Sequence, residues 1–465
     1  MKKVLAMLTV ALLVGCGSQT GGSGIPSSST PNSGASEMTQ DSSNTAPSSA
    51  ETAGTFNTNG TIEEQTIYDQ DGVLIKASSL TYESSRAKLL INIENNGTRD
   101  LSVLSGTMGL SCNAVNGWMI HDGWINVDIP AGKKANDNAY FDFEPMLACG
   151  ITGIETLYVT LQLEFDNNYS NTIITEPIEI KTSLSSNTDQ DLSFDKVATR
   201  LMNIYTSRTL QFYDDSELFD SSGIKVTGAA YLTSSDGEKI LLLELNNNSD
   251  QVLDVDSSNI SANGFSLCSS RWSSETLIPG KKGYMCLELD NMKDEDDWKA
   301  MGITDISDIS LDLGVRNMNY DYLSQPKTIS LHVADSVTSA DTSGEELYSA
   351  NGIRIISKGL QKVNSSVKWK LLIQNDNDFE IEVSDGWGKK LSINDYMIDY
   401  LMWSEYIGAH QSSIAEIEIN NSKLQDAGID PNNIGVAEME LEIKDENYHD
   451  IDNPKIVVDF SATVN

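Results

Sequence analysis

Histidine and cysteine are scarce in this chain of 465 residues, which has four histidines and five cysteines. The histidines are scattered along the sequence, at His121, His332, His410 and His449. This spread favours neither a histidine-rich metal cluster nor a catalytic triad centred on histidine. The nucleophile-elbow pattern G-x-S-x-G is also absent. The sequence therefore indicates no catalytic residue, no cofactor and no metal site.

Basic residues are also few, with 31 Lys and Arg against 68 Asp and Glu and a formal net charge of −37. Such a chain repels the phosphates of nucleic acids, so we expect no nucleic-acid partner. The acidic stretches Asp294–Asp297 and Asn375–Asp378 offer oxygen atoms to calcium. Neither has the spaced acidic residues and central glycine of a calcium-binding loop. We interpret both as solvated loops, and calcium binding stays open.

No apolar run is long enough to span a bilayer, which needs roughly 20 residues. The N-terminal run Val4–Val14 is shorter, follows two lysines and ends in Leu13-Val14-Gly15-Cys16. This ending resembles the lipobox of bacterial lipoproteins, in which the peptide is cut before the cysteine and the thiol receives a diacylglycerol. The resemblance implies cleavage after Gly15 and lipid attachment at Cys16. An ordinary secretory signal with a chance cysteine is the alternative.

We therefore predict a lipoprotein signal peptide at residues 1–15 and a lipid anchor on the outer face of the cytoplasmic membrane. Residues 16–60 are rich in Ser, Thr, Gly, Asn and Pro and have almost no large apolar side chains. Such a segment cannot bury enough surface to offset the entropy of ordering, so it is predicted to be a disordered stalk. The stalk would hold the following domains in the extracellular space; a glycosylated stalk is the alternative.

After residue 60 the sequence contains three copies of one repeated unit. Each copy has an opening glycine, an Asn-rich turn, a second glycine and a closing proline at nearly constant spacing. The glycines are Gly72, Gly223 and Gly352, then Gly150, Gly302 and Gly428, and the prolines are Pro177, Pro326 and Pro454. The period is that of an independent domain rather than of a solenoid unit.

Each copy is predicted to be an antiparallel β-sandwich, because turn signals recur and apolar and polar residues alternate along candidate strands. Tyr158–Leu163, Ile309–Val315 and Ala437–Ile443 show this alternation at equivalent positions. The predicted domains are residues 61–182, 215–335 and 345–465, which we call repeats one, two and three.

Two linkers separate the predicted domains, at residues 183–214 and 336–344. In the first, apolar residues recur at three- and four-residue steps, namely at Phe194, Val197, Ala198, Leu201, Ile204 and Tyr205. This pattern is typical of an amphipathic helix, with Ser193 as its N-cap. Such a stripe usually packs on a neighbouring domain, and a partner-binding helix is the alternative.

Several short motifs support a family resemblance. They are Asn247-Asn248-Ser249, Val115–Met119, Ala131–Lys134, Pro279–Lys282 and Gly150-Ile151. Together with the lipobox and the stalk, they are similar to those of surface lipoproteins of Gram-positive bacteria with repeated immunoglobulin-like modules. Repeat three departs, since Gly408-Ala409-His410 stands in its Gly-Lys-Lys position. The resemblance implies a mainly β chain of three tandem immunoglobulin-like antiparallel β-sandwich domains after a signal peptide and disordered stalk, without an established activity.

Four cysteines remain if Cys16 carries lipid. Cys268 and Cys286 flank the Pro279-Gly280 loop, so a bridge between them is conceivable, and Cys112–Cys149 is the other pairing considered. Repeat three has no cysteine, so the fold does not require a disulfide. Buried free thiols are the alternative.

The tryptophans are the remaining candidates for ligand contact. Trp124, Trp272 and Trp403 occupy nearly the same position in the three repeats. We interpret them as core residues, because a buried aromatic side chain removes some 150–250 Å² from water. Trp387 lies outside this pattern and is the predicted exposed ligand contact.

The function predicted from sequence is that of a non-catalytic, lipid-anchored extracellular surface protein that presents binding or adhesion domains. Its partners would be the membrane, through the lipid on Cys16, and a protein or glycan ligand. Two alternatives stay open at this point: a carbohydrate-binding surface lipoprotein, and a cell-envelope hydrolase that uses a pair of carboxylates.

Overall fold

The computed structural model describes residues 55–105, 112–184, 189–270, 272–335, 341–386 and 391–463. Gly15, Cys16 and Trp387, together with the predicted signal peptide and most of the predicted stalk, lie outside these ranges. Within them, no helix is both long and apolar enough to cross a membrane. The described residues belong to one compact unit, Ala53–Asn465.

The prediction of antiparallel β-sandwich repeats is confirmed: the chain is mainly β, and its sheets are built almost wholly from antiparallel pairs. The strands and helix of repeat one are β1 Gln65–Gln70, β2 Val73–Tyr82, β3 Arg86–Asn95, β4 Leu101–Ser105, β5 Asn113–Val115, β6 Trp118–Ile120, β7 Ile125–Ile129, β8 Lys134–Asp142, α1 Phe143–Ala148, β9 Thr156–Val159, β10 Gln162–Phe165, β11 Asn168–Ile174 and β12 Ile178–Lys181. The first layer has the strand order β1-β2-β3-β8, and the second consists of β12-β9-β5-β6 and β11-β10-β4-β7.

The inward residues of the two layers form the core of repeat one. Along β3 every second residue is buried, as a strand with one face in the core requires. Leu89, Ile91 and Ile93 of β3 pack in one cluster with Leu157 and Val159 of β9.

Repeat two follows the linker helix and has the same plan. Its elements are α2 Phe194–Met202, β13 Arg208–Asp214, β14 Phe219–Ser221, β15 Ile224–Ser234, β16 Lys239–Asn247, β17 Leu253–Ala262, β18 Phe265–Cys268, β19 Ser273–Leu277, β20 Lys282–Glu288, a 3₁₀ turn at Leu289–Met292, α3 Glu295–Met301, β21 Asp308–Arg316 and β22 Lys327–His332. Strands β13-β15-β16-β20 form the first layer, and β22-β21-β17-β18 form the second, with β19 also paired to β17.

Repeat three repeats the plan again. Its elements are β23 Glu345–Ala350, β24 Ile353–Val363, β25 Ser366–Asn375, β26 Ile381–Ser384, β27 Leu391–Ile393, β28 Tyr396–Met397, β29 Leu401–Met402, β30 Glu405–Ile407, β31 Ser412–Asn420, α4 Asn421–Asp426, β32 Val436–Glu440, β33 Glu442–Asp445, β34 Asp450–Asp452, β35 Lys455–Asp459 and a 3₁₀ turn at Phe460–Thr463. The first layer is β23-β24-β25-β31, and the second consists of β28-β27-β32-β35 and β30-β26-β33-β34.

The repeats are joined edge to edge. Strand β6 of repeat one lies parallel to β20 of repeat two, and β18 of repeat two lies parallel to β31 of repeat three. The second layer of each repeat therefore continues into the first layer of the next. Strand β16 buries residues on both of its faces, since Leu242 packs in the same cluster as the core of repeat one, whereas the outer face of β3 is only half-buried.

The Asn-rich turns have a structural role in all three repeats. Asn95, Asn247 and Asn375 are each 1% exposed. The side-chain amide of Asn247 donates to the carbonyls of Gln251 and Leu277 at 2.8 and 2.9 Å, and the other two make equivalent bonds. The Asn375–Asp378 stretch thus begins with a buried amide that fixes the loop between the sandwich layers.

The linker contains α2, whose apolar residues Phe194, Val197, Ala198 and Leu201 are buried. They pack in the cluster that also holds Ala230 and Leu232 of β15, so the helix covers the outer face of repeat two's first layer. Ser193 stands at the N-cap position, although its side chain makes no capping hydrogen bond.

The ordered sandwich begins before residue 61, so the predicted stalk boundary is too late. Phe56 is 8% exposed, and its ring stacks on Phe143 with the centroids 4.2 Å apart. Asn57 forms a parallel bridge with Gly153. In the sequence, Phe56 is a single aromatic residue in an otherwise polar segment, and no local pattern marks it as part of the sandwich.

Candidate ligand-binding site

The three equivalent tryptophans are exposed, and their interpretation as core residues is wrong. Relative exposure is 49% for Trp124, 42% for Trp272 and 76% for Trp403. Each precedes a strand of the second layer or of its edge, and beside two of them the neighbouring residue enters the core instead. Beside Trp124 it is Ile125, 1% exposed, and beside Trp403 it is Met402, 9% exposed.

Backbone and side-chain contacts hold two of these tryptophans in place. The indole N–H of Trp124 donates to the carbonyl of His121 at 3.4 Å, and the backbone N–H of Trp272 donates to the carbonyl of Ser257 at 2.9 Å. An exposed indole offers a rigid apolar face with one polar donor, which suits stacking on sugars, aromatic rings or cations. The protein thus presents one such face in every repeat.

A cleft of about 480 Å³ lies where repeats two and three meet. Its floor is the outer face of repeat two's second layer, which supplies Ser261, Ser310 and Ser330. The hydroxyls of Ser261 and Ser310 are hydrogen-bonded at 2.7 Å. His332 comes from the end of β22, and His410 comes from the turn before β31. Hydroxyls and imidazoles of this kind can bind a polar ligand through several hydrogen bonds.

Carboxylates orient both histidines of this cleft. Nδ1 of His332 lies 2.9 Å from Asp308, and its Nε2 lies 3.4 Å from Asp335. The hydrogen bond to Asp308, followed by that to Asp335, raises the pKa of His332 above its ordinary value. Nε2 of His410 lies 2.8 Å from Asp378. Because both ring nitrogens of His332 face carboxylates, the ring is suited to holding a positive charge rather than to accepting a proton from substrate.

The sequence places these two histidines far apart, and the structure brings them to one cleft. His332 and His410 belong to different repeats, and only the joint between β18 and β31 makes them neighbours. No local pattern marks such a pair, because the contact depends on how whole repeats dock.

The acidic stretch Asp294–Asp297 forms a charge cluster with a buried lysine. Among the described residues, oxygens of Asp294, Asp297 and Glu416 lie close enough to share a cation. The ammonium of Lys370, a residue only 3% exposed, lies 2.6 Å from Asp297 and 2.5 Å from Glu416. Asp294 also caps α3, since it accepts a hydrogen bond from the backbone N–H of Asp297 at 2.8 Å. Lys368 also contributes, at 2.9 Å from Glu416 and 3.4 Å from Asp294, so two lysines supply the positive charge of a cluster that links repeats two and three.

The four described cysteines are free thiols. Cys112 and Cys149 are buried, and Cys268 and Cys286 are half-buried. Neither the Cys268–Cys286 bridge nor the Cys112–Cys149 bridge considered above is formed. Burial raises the pKa of the Cys112 thiol to about 12, so this thiol is unreactive.

Comparisons with known proteins identify no family. No protein family and no curated protein matches the chain. Among solved structures, red sea bream transglutaminase is 12% identical, covers 59% of this chain and has a TM-score of 0.16; this chain spans only 31% of its length. A protein of unknown function from Porphyromonas gingivalis W83 is 12% identical, with 49% of this chain and 93% of that chain covered and a TM-score of 0.16. A 1.5-MDa bacterial ice-binding adhesin is 8% identical, with 81% and 90% covered and a TM-score of 0.14. At such TM-scores, these likenesses support no statement about function.

Proposed function

We propose that the protein is a non-catalytic, lipid-anchored extracellular surface protein whose three sandwiches present binding or adhesion surfaces. The observation that carries the proposal is the exposed tryptophan at an equivalent place in every repeat. Tryptophan is enriched among residues that dominate binding energy, and a ligand that covers the exposed part of the ring removes apolar surface from water. The lipid anchor rests on Leu13–Cys16 and the polar segment after it.

A glycan is the ligand class that the geometry favours. Sugars combine apolar faces, which stack on indoles, with hydroxyls, which need many hydrogen bonds. The exposed tryptophans provide the first kind of contact, and the serine- and histidine-lined cleft provides the second. Carbohydrate binding is therefore the more specific form of the proposal.

Hydrolysis by a pair of carboxylates is less well supported by the described cavities. The cleft between repeats two and three has one lining carboxylate, Asp308, which is bound to His332. A second cavity, of about 230 Å³, is lined by Asp296 and Asp341. The hydrogen bond from Lys358, 2.7 Å away, lowers the pKa of Asp341 far below its ordinary value. A general acid needs the opposite shift.

The test uses the full chain on a glycan array, alongside a variant that combines Trp124→Ala, Trp272→Ala and Trp403→Ala. We expect binding to at least one glycan class, and a loss of about 2 kcal/mol or more, about thirty-fold, for each tryptophan that contacts the ligand. The matched control is Tyr205→Ala/Tyr448→Asn, which removes two other exposed aromatics and should bind as the parent does. Undiminished binding by the triple variant would refute the tryptophan assignment.

Anchoring is tested separately. Cys16→Ala should release the protein from the membrane fraction into the medium, since a diacylated cysteine supplies two chains and about 0.8 kcal/mol per buried CH₂. Retention equal to that of the parent chain would show that the anchor assignment is wrong.

A further inference from the structure

The joint between successive repeats is built in the same way twice. In the first joint, the backbone N–H of Lys282, at the start of β20, donates to the carbonyl of Gly117 at 2.9 Å. In the second, the N–H of Ser412, at the start of β31, donates to the carbonyl of Gly264, also at 2.9 Å. Each joint therefore has two parts. One repeat supplies the turn before a short edge strand, β6 or β18, and the next repeat supplies the first residue of the outermost strand of its first layer, β20 or β31.

Repeat three carries the same short edge strand, β28, with β27 on one side and no described strand on the other. Strand β28 is the last strand of its sheet among the described residues. The turn before it has the geometry found in repeat two: φ is 50° at Asn394 and 68° at Asp395, and the equivalent residues have 48° and 79°. The carbonyl of Asp395 therefore has the same backbone geometry as the carbonyl of Gly264, which accepts the hydrogen bond in the second joint.

The side chains of β28 are exposed where their counterparts are covered. Met397 is 61% exposed, whereas Met119, at the same position of repeat one, is 3% exposed and packs in the core of repeat two. Tyr396 is 57% exposed, whereas Phe265 of repeat two is 2% exposed. An apolar pair on an unpaired strand edge is a site for another strand to dock.

Repeat one has the complementary open edge. Strand β8 occupies the place of β20 and β31 and is the last strand of its sheet among the described residues. Lys134 begins β8 as Lys282 begins β20. The residue that follows is small in every repeat, Ala135, Gly283 or Ser413, and at Gly283 the space receives Met119.

Side-chain chemistry at the two joints shows what each edge recognises. In the first joint, Nζ of Lys281 lies 3.7 Å from the centroid of the Tyr158 ring, and Nζ of Lys282 lies 5.7 Å from that of Trp118. In the second joint the lysines are replaced by Gln411 and Ser412, and Tyr158 is replaced by Ser310. Lys281 and Tyr158 have therefore changed together, whereas the partner of Lys282 stays aromatic, as Trp118 or Phe265.

The open edges of repeats three and one carry side chains that can pair across a joint, as the lysines and aromatic rings of the first joint do. Repeat one exposes Lys133 and Lys134, and repeat three offers Tyr396 in place of Trp118 and Glu438 in place of Tyr158. Lysine opposite a tyrosine ring gives a cation–π contact, and lysine opposite glutamate gives an ion pair. Glu438 already pairs with Lys455, at 2.5 Å, and could receive a second cation.

We propose that the β28 edge of repeat three binds the β8 edge of repeat one in a second copy of this chain, so that copies associate head to tail. The contact is heterologous, since two different surfaces meet, and it can therefore extend to further copies. It would contain the Lys134 N–H donating to the Asp395 carbonyl, Met397 beside Ala135, and Lys133 beside Glu438.

The experiment is sedimentation velocity of the full chain from about 1 to about 300 μM, a range suited to a contact of one short strand edge. We expect the sedimentation coefficient to rise with concentration. Met397→Glu and Lys133→Glu should each weaken association at least about tenfold, because a charge enters an apolar contact or two like charges meet. Tyr448→Asp, at another exposed position of repeat three, is the matched control and should associate as the parent does.

A charge exchange makes the test specific. Lys133→Glu and Glu438→Lys chains should each associate weakly alone, whereas the double variant Lys133→Glu/Glu438→Lys, in which every contact joins the exchanged charges, should associate as the parent does. Unchanged far-ultraviolet circular dichroism in every variant excludes unfolding as the cause. A parent chain that stays monomeric throughout, or a double variant that associates no better than the single variants, would overturn the proposal.

Discussion

Replacement of Lys370 by methionine should destabilise the joint between repeats two and three. The residue is 3% exposed, and its ammonium lies among three carboxylates, at 2.6 Å from Asp297, 2.5 Å from Glu416 and 3.8 Å from Asp294. Lys368 pairs with Glu416 and Asp294 but not with Asp297. Burial lowers the pKa of Lys370, but hydrogen bonds to Asp297 and Glu416 outweigh it and raise the pKa above its ordinary value. The lysine is thus charged in the folded protein.

The size of the loss in unfolding free energy follows from the buried carboxylates that remain in the variant. Removing one partner of a buried ion pair costs about 3–5 kcal/mol, because the remaining charge is desolvated and unpaired. Replacing both partners, as in Lys370→Met/Asp297→Leu, should cost less than the sum of the single changes, and the double-mutant cycle gives the coupling energy. Urea unfolding, followed by the fluorescence of the buried Trp298 on α3, reports the change.

The difference in stability between the parent and Lys370→Met should become smaller as the pH falls. The pKa of Asp294 is lowered: burial opposes this, but the Asp297 N–H and Lys370 outweigh it. A lowered carboxyl pKa gives stability that is present above the unfolded-state pKa of about 3.9 and is lost as the pH falls through the folded value. Without Lys370, Lys368 still pairs with Glu416 and Asp294, but Asp297 loses the cation that lies 2.6 Å away, so protonation of this carboxyl relieves the variant. The difference between parent and variant should shrink below about pH 4. A cost under about 1 kcal/mol at pH 7 would refute the assignment of Lys370 as the central cation.

Two further predictions concern the turn and the cleft. Asn247→Ala should destabilise repeat two by about 2–3 kcal/mol, since it leaves buried carbonyls unsatisfied, whereas Asn246→Ala, on the half-buried face of the same strand, should cost less; urea unfolding compares them. The raised pKa of His332 gives stability that is complete below its unfolded-state pKa, about 6.5, and is lost as the pH rises through the folded value. The melting temperature should therefore fall over that interval in the parent and not in His332→Asn, and equal pH dependence in both would contradict the role of Asp308.

The repeat architecture was predictable because local signals recur with it. Alternating apolar residues in β9, β21 and β32 set which face enters the core, and buried asparagines fix the same turn three times. Each unit could be recognised from patterns within a few residues.

The exposed tryptophans were not predictable from the same reasoning. The presence of a tryptophan in all three repeats suggested a core position. Trp124 and Ile125 are both apolar, however, and successive residues of a strand point to opposite faces of the sheet, so a shift of one residue decides which of them is buried. The pairing of Lys370 with Glu416, and of the two histidines across the cleft, depends on how repeats dock, which no local pattern encodes.

Hydrogen exchange at three equivalent amides tests the edge-to-edge account most directly. We predict that the backbone amides of Lys282 and Ser412 exchange slowly at every protein concentration, because each is bonded across a joint within the chain. The amide of Lys134 should exchange rapidly in dilute solution and become protected as the concentration rises. Rapid exchange at Lys282 and Ser412 in dilute solution would contradict the joints, and exchange at Lys134 that does not change with concentration would contradict the head-to-tail contact.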